Sequence, residues 1–275
     1  MTLRVCVAGV SGWTGAAVTR GVLAAPDLDL TAAVSRNSAG KDVGEVLGEI
    51  SPVGVSIVPD VRQALQQGVD VLIDYTSTAA VKAHVLHAIE QGVAVVIGTS
   101  GMTVDDFAEI EDAAERCNVG IVGGGNFSVT AAMMQHLALI AAHHIPHFEV
   151  LEYAWAEKED VPSGTARELA ENLGSVQVPR QIRPVDELIG PRDARGAAIN
   201  GVQVHCIRMP GYTLRCEAIF GMAGERLTVS HEAGQSADPY VAGTLLAARP
   251  AVQIRGLVRG LDKLLFRPDA DGPDC

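Results

Sequence analysis

The sequence is poor in lysine and in aromatic residues, and acids outnumber bases. Its 275 residues include 33 acids and 21 basic residues, which gives a formal net charge of −12. An acidic surface repels nucleic-acid phosphates and anionic lipids, so a nucleic-acid or membrane-surface role is disfavoured. The only lysines are Lys41, Lys82, Lys158 and Lys263. A reaction that needs a titratable amine therefore has few candidates.

Paired cysteines and long apolar runs are also missing. The cysteines are dispersed, without a Cys-x-x-Cys pair, at positions 6, 117, 206, 216 and 275. Such a set is typical of a reducing compartment and has no zinc-ligand spacing. No apolar run approaches the roughly 18 residues of a membrane span. The N-terminus enters a short strand and then glycines, unlike a secretory signal. We therefore expect a cytoplasmic protein without a metal site.

The first 122 residues alternate short apolar runs with helical stretches. The strand-length runs are residues 3–8, 28–34, 70–74, 93–97 and 119–122. Continuous apolar strands separated by helices are typical of a parallel sheet that is covered on both faces. With right-handed crossovers, this pattern predicts an α/β fold with a Rossmann-like, doubly wound sheet. We assign residues 1–127 to this dinucleotide-binding domain.

The pattern changes after Asn126. A long apolar helix from about Val129 to Ala142 precedes a strand-like run that begins at Phe148. Two later strand-like runs are separated only by residues 221–224, which is typical of an antiparallel hairpin. We predict a second α+β domain with a mixed or antiparallel sheet over residues 128–237. The final helical stretches, within residues 238–275, are expected to pack back on the first domain.

A glycine-rich loop joins the first strand to the first helix. Its residues are Gly9, Val10, Ser11, Gly12, Trp13, Thr14 and Gly15. Glycines let the chain turn tightly and let a diphosphate approach, while the helix N-terminus supplies N–H groups and partial positive charge. A simple strand–helix turn is the alternative. Because the loop follows the first strand of an alternating β/α chain, dinucleotide binding is favoured.

The end of the second strand bears on the choice of cofactor. NAD-selective sites usually place an acid here to bind the ribose 2′-hydroxyl, but the chain has Ser35-Arg36-Asn37. Arg36 fits the 2′-phosphate of NADP, or is simply a solvated arginine, so NADPH is preferred and NADH stays possible. Loops after other strands supply further candidate cofactor residues, although glycine is common in turns. These candidates are Tyr75, Thr76, Gly98, Thr99, Ser100, Gly124, Gly125, Asn126 and Phe127.

Lys158 and the segment after it form a second candidate site. The pattern from Thr165 to Glu168 fits a capping box that opens a helix. Ser163, Gly164 and Thr165 would then offer hydroxyl and N–H groups at a helix N-terminus, where a carboxylate binds favourably. Lys158 is close enough in sequence to reach the same anion or to donate a proton. A capped helix beside a solvated lysine is the alternative.

In order and spacing, these motifs resemble the 4-hydroxy-tetrahydrodipicolinate reductase (dihydrodipicolinate reductase) family of bacterial lysine synthesis. The resemblance covers nearly the whole chain and implies a two-domain reductase, usually tetrameric, that closes over NAD(P)H and a small-molecule substrate. It implies that residues 128–237 form the substrate-binding and oligomerisation domain. It also implies that Lys158 donates a proton and that Gly164 and Thr165 hold a substrate carboxylate. The matching segments are the glycine loop, Asp74–Thr76, Gly98–Gly101, Asn126–Val129, Lys158–Ala166 and Gly224–Leu227 followed by His231.

Two adjacent positions depart from the family pattern. The family places an acid/base histidine and a substrate-binding histidine four and five residues after the position of Val150, where this chain has Ala154 and Trp155. Neither side chain transfers a proton or pairs with a carboxylate, and Trp155 adds apolar surface to the substrate site. Losing a general acid typically costs roughly 10²–10⁴-fold in rate.

Three interpretations therefore stay open. The favoured one is a reductase with an altered C=N substrate, similar to imine reductases or amine dehydrogenases. The second is a genuine 4-hydroxy-tetrahydrodipicolinate reductase in which Lys158 alone handles the proton. The third is a non-catalytic dinucleotide-binding protein. Arg208 and Arg215 are candidates to replace the histidines as anion ligands. His231 and the histidines at 143, 144 and 147 are interpreted as structural.

Overall fold

The computed structural model describes residues 2–266. Within them the chain divides into two units, one formed by residues 2–129 and 237–266 and the other by residues 130–236. The end of the predicted return segment 238–275 lies outside the described residues, as does Cys275.

Twelve strands and nine α-helices occur in this described part of the chain. The strands are β1 (Leu3–Ala8), β2 (Leu28–Val34), β3 (Ile57–Val58), β4 (Val71–Asp74), β5 (Ala94–Ile97), β6 (Gly120–Gly123), β7 (Phe148–Ala154), β8 (Ala197–Ile199), β9 (Val202–Arg208), β10 (Leu214–Met222), β11 (Glu225–Ala233) and β12 (Gly256–Arg259). The helices are α1 (Trp13–Ala24), α2 (Val43–Leu47), α3 (Val61–Leu65), α4 (Thr78–Glu90), α5 (Val104–Cys117), α6 (Val129–His144), α7 (Gly164–Val176), α8 (Asp238–Ala251) and α9 (Leu261–Leu265). Over residues 2–266, no helix combines the length and apolar character that crossing a bilayer requires.

The first unit is built on a seven-stranded sheet of order β12-β6-β5-β4-β1-β2-β3. Every neighbouring pair is parallel. The chain runs outward from β1 to β3 and then resumes on the other side of β1 with β4, so the switch point of the sheet lies between β1 and β4. Ligands bind at such switch points, outside the carboxyl ends of the strands. The predicted Rossmann-like, doubly wound sheet is confirmed.

The central strands are apolar on both faces because helices cover both. All four residues of β4 and of β5 are buried, as the continuous apolar runs predict. One face packs on α4 and α5 in a core that includes Leu72, Val85 and Ile110. On α5 the hydroxyl of Thr103 accepts the N–H of Asp106, whose carboxylate accepts the N–H of Thr103. This capping box fixes where α5 begins.

The second unit contains a five-stranded sheet of order β11-β10-β7-β9-β8. β7 pairs in parallel with β9, whereas the other neighbouring strands are antiparallel. The predicted α+β architecture with a mixed sheet is therefore confirmed. The hairpin between β10 and β11 turns at Ala223-Gly224, and Gly224 has a φ of 83°, a backbone conformation that glycine adopts without strain.

The burial pattern of β7 shows that one face of this sheet is covered. Its residues are buried and half-buried in strict turn, as expected for a strand with one covered face. The covered face packs on α6 and α7, and the shared core includes Val150, Leu169 and Leu173. Glu152 is on the same buried face and has no exposed surface. A carboxylate at this position needs partners inside the unit.

The return segment differs from the expectation of helices alone. Between α8 and α9 it forms β12, which pairs in parallel with β6 and extends the first sheet at its edge. The run Gly256-Leu257-Val258-Arg259 is only four residues long. It is too short to be told from a turn of helix by its apolar pattern.

Candidate functional site

The glycine loop after β1 is packed too tightly to accept side chains at two positions. Gly9 has a φ of 92°, and a Cβ there would lie 2.2 Å from the carbonyl oxygen of Tyr75. A Cβ on Gly15 would lie 2.0 Å from the carbonyl oxygen of Gly9. The N–H groups of Gly9 and Val10 both donate to the carbonyl of Val34 at the end of β2. The loop is therefore held between the carboxyl ends of two adjacent strands.

Helix α1 presents an uncapped N-terminus beside this loop. Its N-cap residue, Gly12, makes no side-chain cap, and the first turn contains no acid. N–H groups of the first turn have no intrahelical acceptor and carry partial positive charge. The site therefore fits an anion such as a diphosphate.

A cavity of about 530 Å³, here called the β2 cavity, opens beside the loop. The hydroxyls of Ser11 and Ser35 line it and hydrogen-bond each other at 2.7 Å. Arg36 follows directly at the end of β2. The structure thus brings six of the predicted cofactor residues to one cavity, namely Gly9, Ser11, Gly12, Arg36, Tyr75 and Thr76.

The β2 cavity contains an arginine and two histidines that sequence reasoning missed. Arg62, on α3, lines it together with His84 and His87 of α4. Among the described residues that line it, Asp60 is the one acid, and its carboxylate accepts the N–H of Arg62 at 2.6 Å to cap α3. The sequence signal for Arg62 was an Asp-Val-Arg helix start. It could be placed only once β3 brought that start next to β2.

Asp74, at the end of β4, organises two of the predicted loops. Its buried carboxylate accepts hydrogen bonds from the N–H and hydroxyl of Thr76 at 2.9 and 2.7 Å. It also accepts from the hydroxyl of Thr99 at 2.8 Å, and it lies 2.8 Å from Nδ1 of His84. Thr76 and Thr99 therefore turn their hydroxyls toward Asp74. This network fixes the loops after β4 and β5 relative to each other.

Tyr75 provides the packing behind these loops. Its ring is so close to Gly98 that a Cβ there would lie 2.1 Å from Cζ. The buried Phe127 ring lies edge-on to Tyr75, with centroids 6.5 Å apart, and the Tyr75 hydroxyl hydrogen-bonds Thr244 at 2.7 Å. Burial raises the pKa of Tyr75, so it stays a neutral phenol. Val10, another of the predicted cofactor residues, is fully buried in the glycine loop.

The other predicted cofactor residues lie on loops and on α1, outside the lining of the β2 cavity. Trp13 is exposed, and its ring lies edge-on to Tyr240 at 6.0 Å. The Ser100 carbonyl accepts the Thr78 hydroxyl, and the Asn126 side-chain oxygen accepts the N–H of Ser128. Besides Val10, Gly15, Gly98, Thr99 and Phe127, described above, these residues are Trp13, Thr14, Ser100, Gly124, Gly125 and Asn126.

In the second unit, α7 begins two residues earlier than the capping-box pattern from Thr165 predicts. Ser163 is the N-cap, and its hydroxyl accepts the N–H of Ala166 at 3.3 Å. The N–H of Ser163 donates to the carboxylate of Glu152, and the nitrogen lies 3.1 Å from each carboxylate oxygen. Ser163 is thus buried and engaged inside the unit. Gly164 is exposed, and no atom lies within 4 Å of where its Cβ would be.

Glu152 is the centre of a buried polar cluster behind α7. Arg208 donates from Nη2 to Glu152 Oε2 at 3.0 Å and to the carbonyl of Asp160 at 2.7 Å. Burial alone raises the pKa of Glu152, but hydrogen bonds from Ser163, Arg208 and Cys206 outweigh it and hold that pKa below its ordinary value. Glu152 is therefore a charged carboxylate at neutral pH.

Lys158 lies at the start of the segment that leads to α7. Its side chain is only 13% exposed, and Nζ forms an ion pair with Asp160. Nζ also lies 5.2 Å from the ring centroid of Trp155, within range of a cation–π interaction. Trp155 is 39% exposed, whereas Ala154 is fully buried as the last residue of β7. The structure thus places Trp155 against the ammonium group and keeps Ala154 away from solvent.

Neither of the two arginines named as candidates to replace the histidines carries an unpaired charge. Arg208 pairs with Glu152, and Arg215 pairs with Glu217 through Nη2 at 2.6 Å. Glu217 also accepts the hydroxyl of Tyr153 at 2.9 Å. Each of these cations is therefore already neutralised by a glutamate.

The histidines of the second unit contribute no metal site. Residues 2–266 contain no group of three or more His, Cys, Asp or Glu side chains that could hold a metal ion. His143 and His144 end α6, and His147 is 2.7 Å from the carbonyl of Arg180 through Nδ1. His231 is buried on β11, and this burial lowers its pKa.

Comparison with known proteins assigns both halves of the chain to one family. Residues 3–127 match the family model for the N-terminus of dihydrodipicolinate reductase, and residues 128–265 match the model for its C-terminus. The 4-hydroxy-tetrahydrodipicolinate reductase of Moorella thermoacetica is 38% identical over 266 residues, which covers 96% of this chain and 98% of that protein.

Two solved structures are similar over nearly the whole chain. Dipicolinate-bound dihydrodipicolinate reductase from Paenisporosarcina sp. TG-14 has a TM-score of 0.82 at 27% identity, covering 96% of this chain and 100% of that chain. An amine dehydrogenase from Mycobacterium smegmatis shares the fold, with a TM-score of 0.66 at 16% identity and coverage of 95% and 96%.

Proposed function

The chain belongs to the dihydrodipicolinate reductase family, and we propose that it is an NAD(P)H-dependent reductase of C=N bonds. One observation carries the proposal: Lys158, ion-paired with Asp160, begins the segment that ends at the exposed N-terminus of α7. A proton donor and an anion site therefore occur within one short segment. The first unit supplies a separate site that fits a dinucleotide.

The residues present in the first unit fit a nicotinamide dinucleotide. The tight Gly9–Gly15 loop and the uncapped N-terminus of α1 would hold the diphosphate. Arg36 and Arg62 would face a 2′-phosphate, and no acid follows β2 to select a 2′-hydroxyl. We therefore propose NADPH as the preferred cofactor. When bound, the cofactor supplies a hydride.

In the second unit, Lys158 would complete the reduction. As hydride reaches the carbon of the C=N bond, the ammonium group would give a proton to the nitrogen, which leaves an amine. The N–H groups of Gly164 and Thr165 would bind a substrate carboxylate at the N-terminus of α7. Ser163 would support this site from behind, because its N–H is held by Glu152.

We further propose a substrate with less negative charge than a dicarboxylate. Lys158, Arg208 and Arg215 are each paired with one acid in the second unit. The N-terminus of α7 offers only about half a positive charge, which suits one carboxylate. Trp155 adds an exposed apolar face beside Lys158. An imine with one carboxylate and an apolar body fits these groups best.

The alternative function is reduction of 4-hydroxy-tetrahydrodipicolinate. The name of the Moorella thermoacetica relative favours this candidate, because that protein is similar over nearly its whole length. Under this alternative, Lys158 and the N-terminus of α7 would serve a dicarboxylate without help from a histidine pair.

A substrate panel separates these candidates. Purified protein with NADPH is mixed with the product of dihydrodipicolinate synthase, with cyclic imines that carry one carboxylate, or with ketones plus ammonia. Loss of absorbance at 340 nm reports turnover. Turnover of the monocarboxylate imines alone supports the proposed substrate, and efficient turnover of the synthase product supports the alternative. NADPH binding without any turnover would instead indicate a non-catalytic dinucleotide-binding protein.

Lys158→Met tests the assigned proton donor. We expect kcat to fall by roughly 10²–10⁴-fold, the typical effect of losing a general acid, with NADPH affinity unchanged. Lys263→Met, on α9, is the matched control and should leave kcat unchanged. Equal kcat values for Lys158→Met and the unmodified protein would show that Lys158 is not the proton donor.

We also propose a homo-oligomer, a dimer or a tetramer, as the family resemblance implies. Light scattering coupled to size-exclusion chromatography measures the assembly directly. A monomer at micromolar concentration would contradict this proposal.

A further inference from the structure

We propose that the buried Glu152–Arg208 pair is a positioning device for the Lys158–Thr165 segment. The inference rests on the proposed function, because this segment carries the proposed proton donor and carboxylate-binding groups. Neither Glu152 nor Arg208 is assigned contact with the substrate. Both would act through the backbone of the segment, which they hold at two points.

The first point is the N-cap of α7. Glu152 has no exposed surface, and both of its oxygens lie 3.1 Å from the N–H of Ser163. A charged acceptor for a backbone N–H makes a strong hydrogen bond inside a protein. It sets the position of Ser163 and therefore the direction in which the next N–H groups, those of Gly164 and Thr165, point.

The second point lies before α7. Nη2 of Arg208 donates to the carbonyl of Asp160 at 2.7 Å and to Glu152 at 3.0 Å. One guanidinium nitrogen thus links the backbone at Asp160 to the acid that holds Ser163. Because Asp160 is also the ion-pair partner of Lys158, the same link sets where the ammonium group lies.

Stability alone does not account for the buried Glu152–Arg208 pair. Burying two opposite charges often gains no more than an apolar pair of the same volume. Nε of Arg208 is buried without a hydrogen-bond partner in the described residues, which adds a desolvation cost. Its side chain donates to Glu152, to the carbonyl of Asp160 in the segment that carries Lys158, and to the carbonyl of Ile207. Retention of such a pair is expected where backbone positions must be held closely for catalysis.

The neighbouring pair on β10 provides a matched control. Arg215 and Glu217 are also paired, at 2.6 Å, and Glu217 is buried like Glu152. Their hydrogen bonds go to each other and to Tyr153, not to residues 158–165. Arg215→Met therefore breaks an arginine–glutamate pair in the same sheet without releasing the segment.

The test compares Arg208→Met, Arg208→Lys and Arg215→Met, each in the full chain. Arg208→Met alone leaves Glu152 charged and unpaired, so the double variant Glu152→Gln with Arg208→Met guards against misfolding. Steady-state kinetics with NADPH and the best imine of the panel give kcat and KM. Hydrogen exchange measured by mass spectrometry reports the amides of residues 158–166.

We expect Arg208→Met and the double variant to raise KM at least tenfold and to lower kcat, because small misplacements of reacting groups cost up to about 10²-fold. Arg208→Lys should recover part of both losses, since an ammonium group keeps the charge opposite Glu152. Exchange should accelerate within residues 158–166, while NADPH affinity stays within twofold. Arg215→Met should change none of these quantities.

Two results would overturn the inference. The first is faster exchange in residues 158–166 with KM and kcat unchanged, because the pair would then be merely structural. The second is an equal change of KM in Arg208→Met and Arg215→Met. If the unmodified protein turns over no imine, the proposed function fails separately. In that case hydrogen exchange alone tests the inference. An unchanged exchange rate of residues 158–166 in Arg208→Met would refute the positioning role.

Discussion

If the β2 cavity binds NADPH as proposed, replacing Arg36 or Arg62 with alanine should weaken the binding of NADPH and leave the binding of NADH nearly unchanged. Both side chains line the cavity, as do the paired hydroxyls of Ser11 and Ser35. NADPH differs from NADH only by the 2′-phosphate. An effect restricted to NADPH therefore reports contacts to that group.

The expected loss of NADPH affinity depends on how exposed the two arginine side chains are. A hydrogen bond to a charged group contributes about 1.5–3 kcal/mol net, and every 1.4 kcal/mol corresponds to about tenfold in affinity. Arg36 and Arg62 are both exposed, so solvent and salt screen them and the lower end applies. We expect about a tenfold weaker NADPH Kd for each single variant. NADH affinity should change less than twofold.

Isothermal titration calorimetry with both cofactors measures the two affinities. Arg116→Ala, which removes an arginine from the last turn of α5, controls for the general loss of positive charge. A Kd increase that is the same for NADPH and NADH would refute the reasoning, because the arginines would then act on the diphosphate or on folding. No change in either Kd would also refute it.

Three further predictions concern packing and pH. Gly15→Ala should abolish cofactor binding in calorimetry, because its Cβ would lie 2.0 Å from the Gly9 carbonyl and force the loop open. Leu173→Ala removes a fully buried side chain of the second core, and chemical denaturation should show a loss of about 2–5 kcal/mol in the free energy of unfolding. The pKa of Glu152 is lowered on folding from an ordinary value of 4.5, so its contribution to stability is present above that pH and is lost as pH falls through the lowered value. The stability difference between the unmodified protein and Glu152→Gln should therefore shrink below pH 4.5, and a difference that is constant down to acid unfolding would contradict this assignment.

The first sheet could be predicted because its signals are local. β4 and β5 are short runs, apolar except for Asp74 at the end of β4, and their burial on both faces follows from this composition. β12 could not be predicted, because four residues of Gly-Leu-Val-Arg acquire strand structure only from pairing with β6. β3, with two residues, is the same case.

The candidate site was predictable in its motifs but not in its hydrogen bonds. The Thr165 to Glu168 pattern has capping-box spacing, yet Ser163 caps α7. Its N–H is fixed by Glu152, a contact across 11 positions of sequence between a strand and a helix start. The local pattern therefore indicated Thr165 as the N-cap, whereas the structure has Ser163 in that position, held by its contact with Glu152. Arg62 shows the same limit, because only the pairing of β2 with β3 brings α3 to Arg36.

The two units handle negative charge in different ways, although the chain as a whole carries −12. In the β2 cavity, Arg36 and Arg62 face a lining whose acid, Asp60, is engaged as a helix cap. Long-range attraction of a multiply charged anion is possible there. In the second unit Lys158, Arg208 and Arg215 are each paired with a carboxylate, and the N–H groups at the start of α7 offer a further site for an anion. Such groups act over about one helical turn. The arrangement therefore favours a polyanionic cofactor on the first unit, and on the second it is compatible with the proposed substrate that carries a single carboxylate.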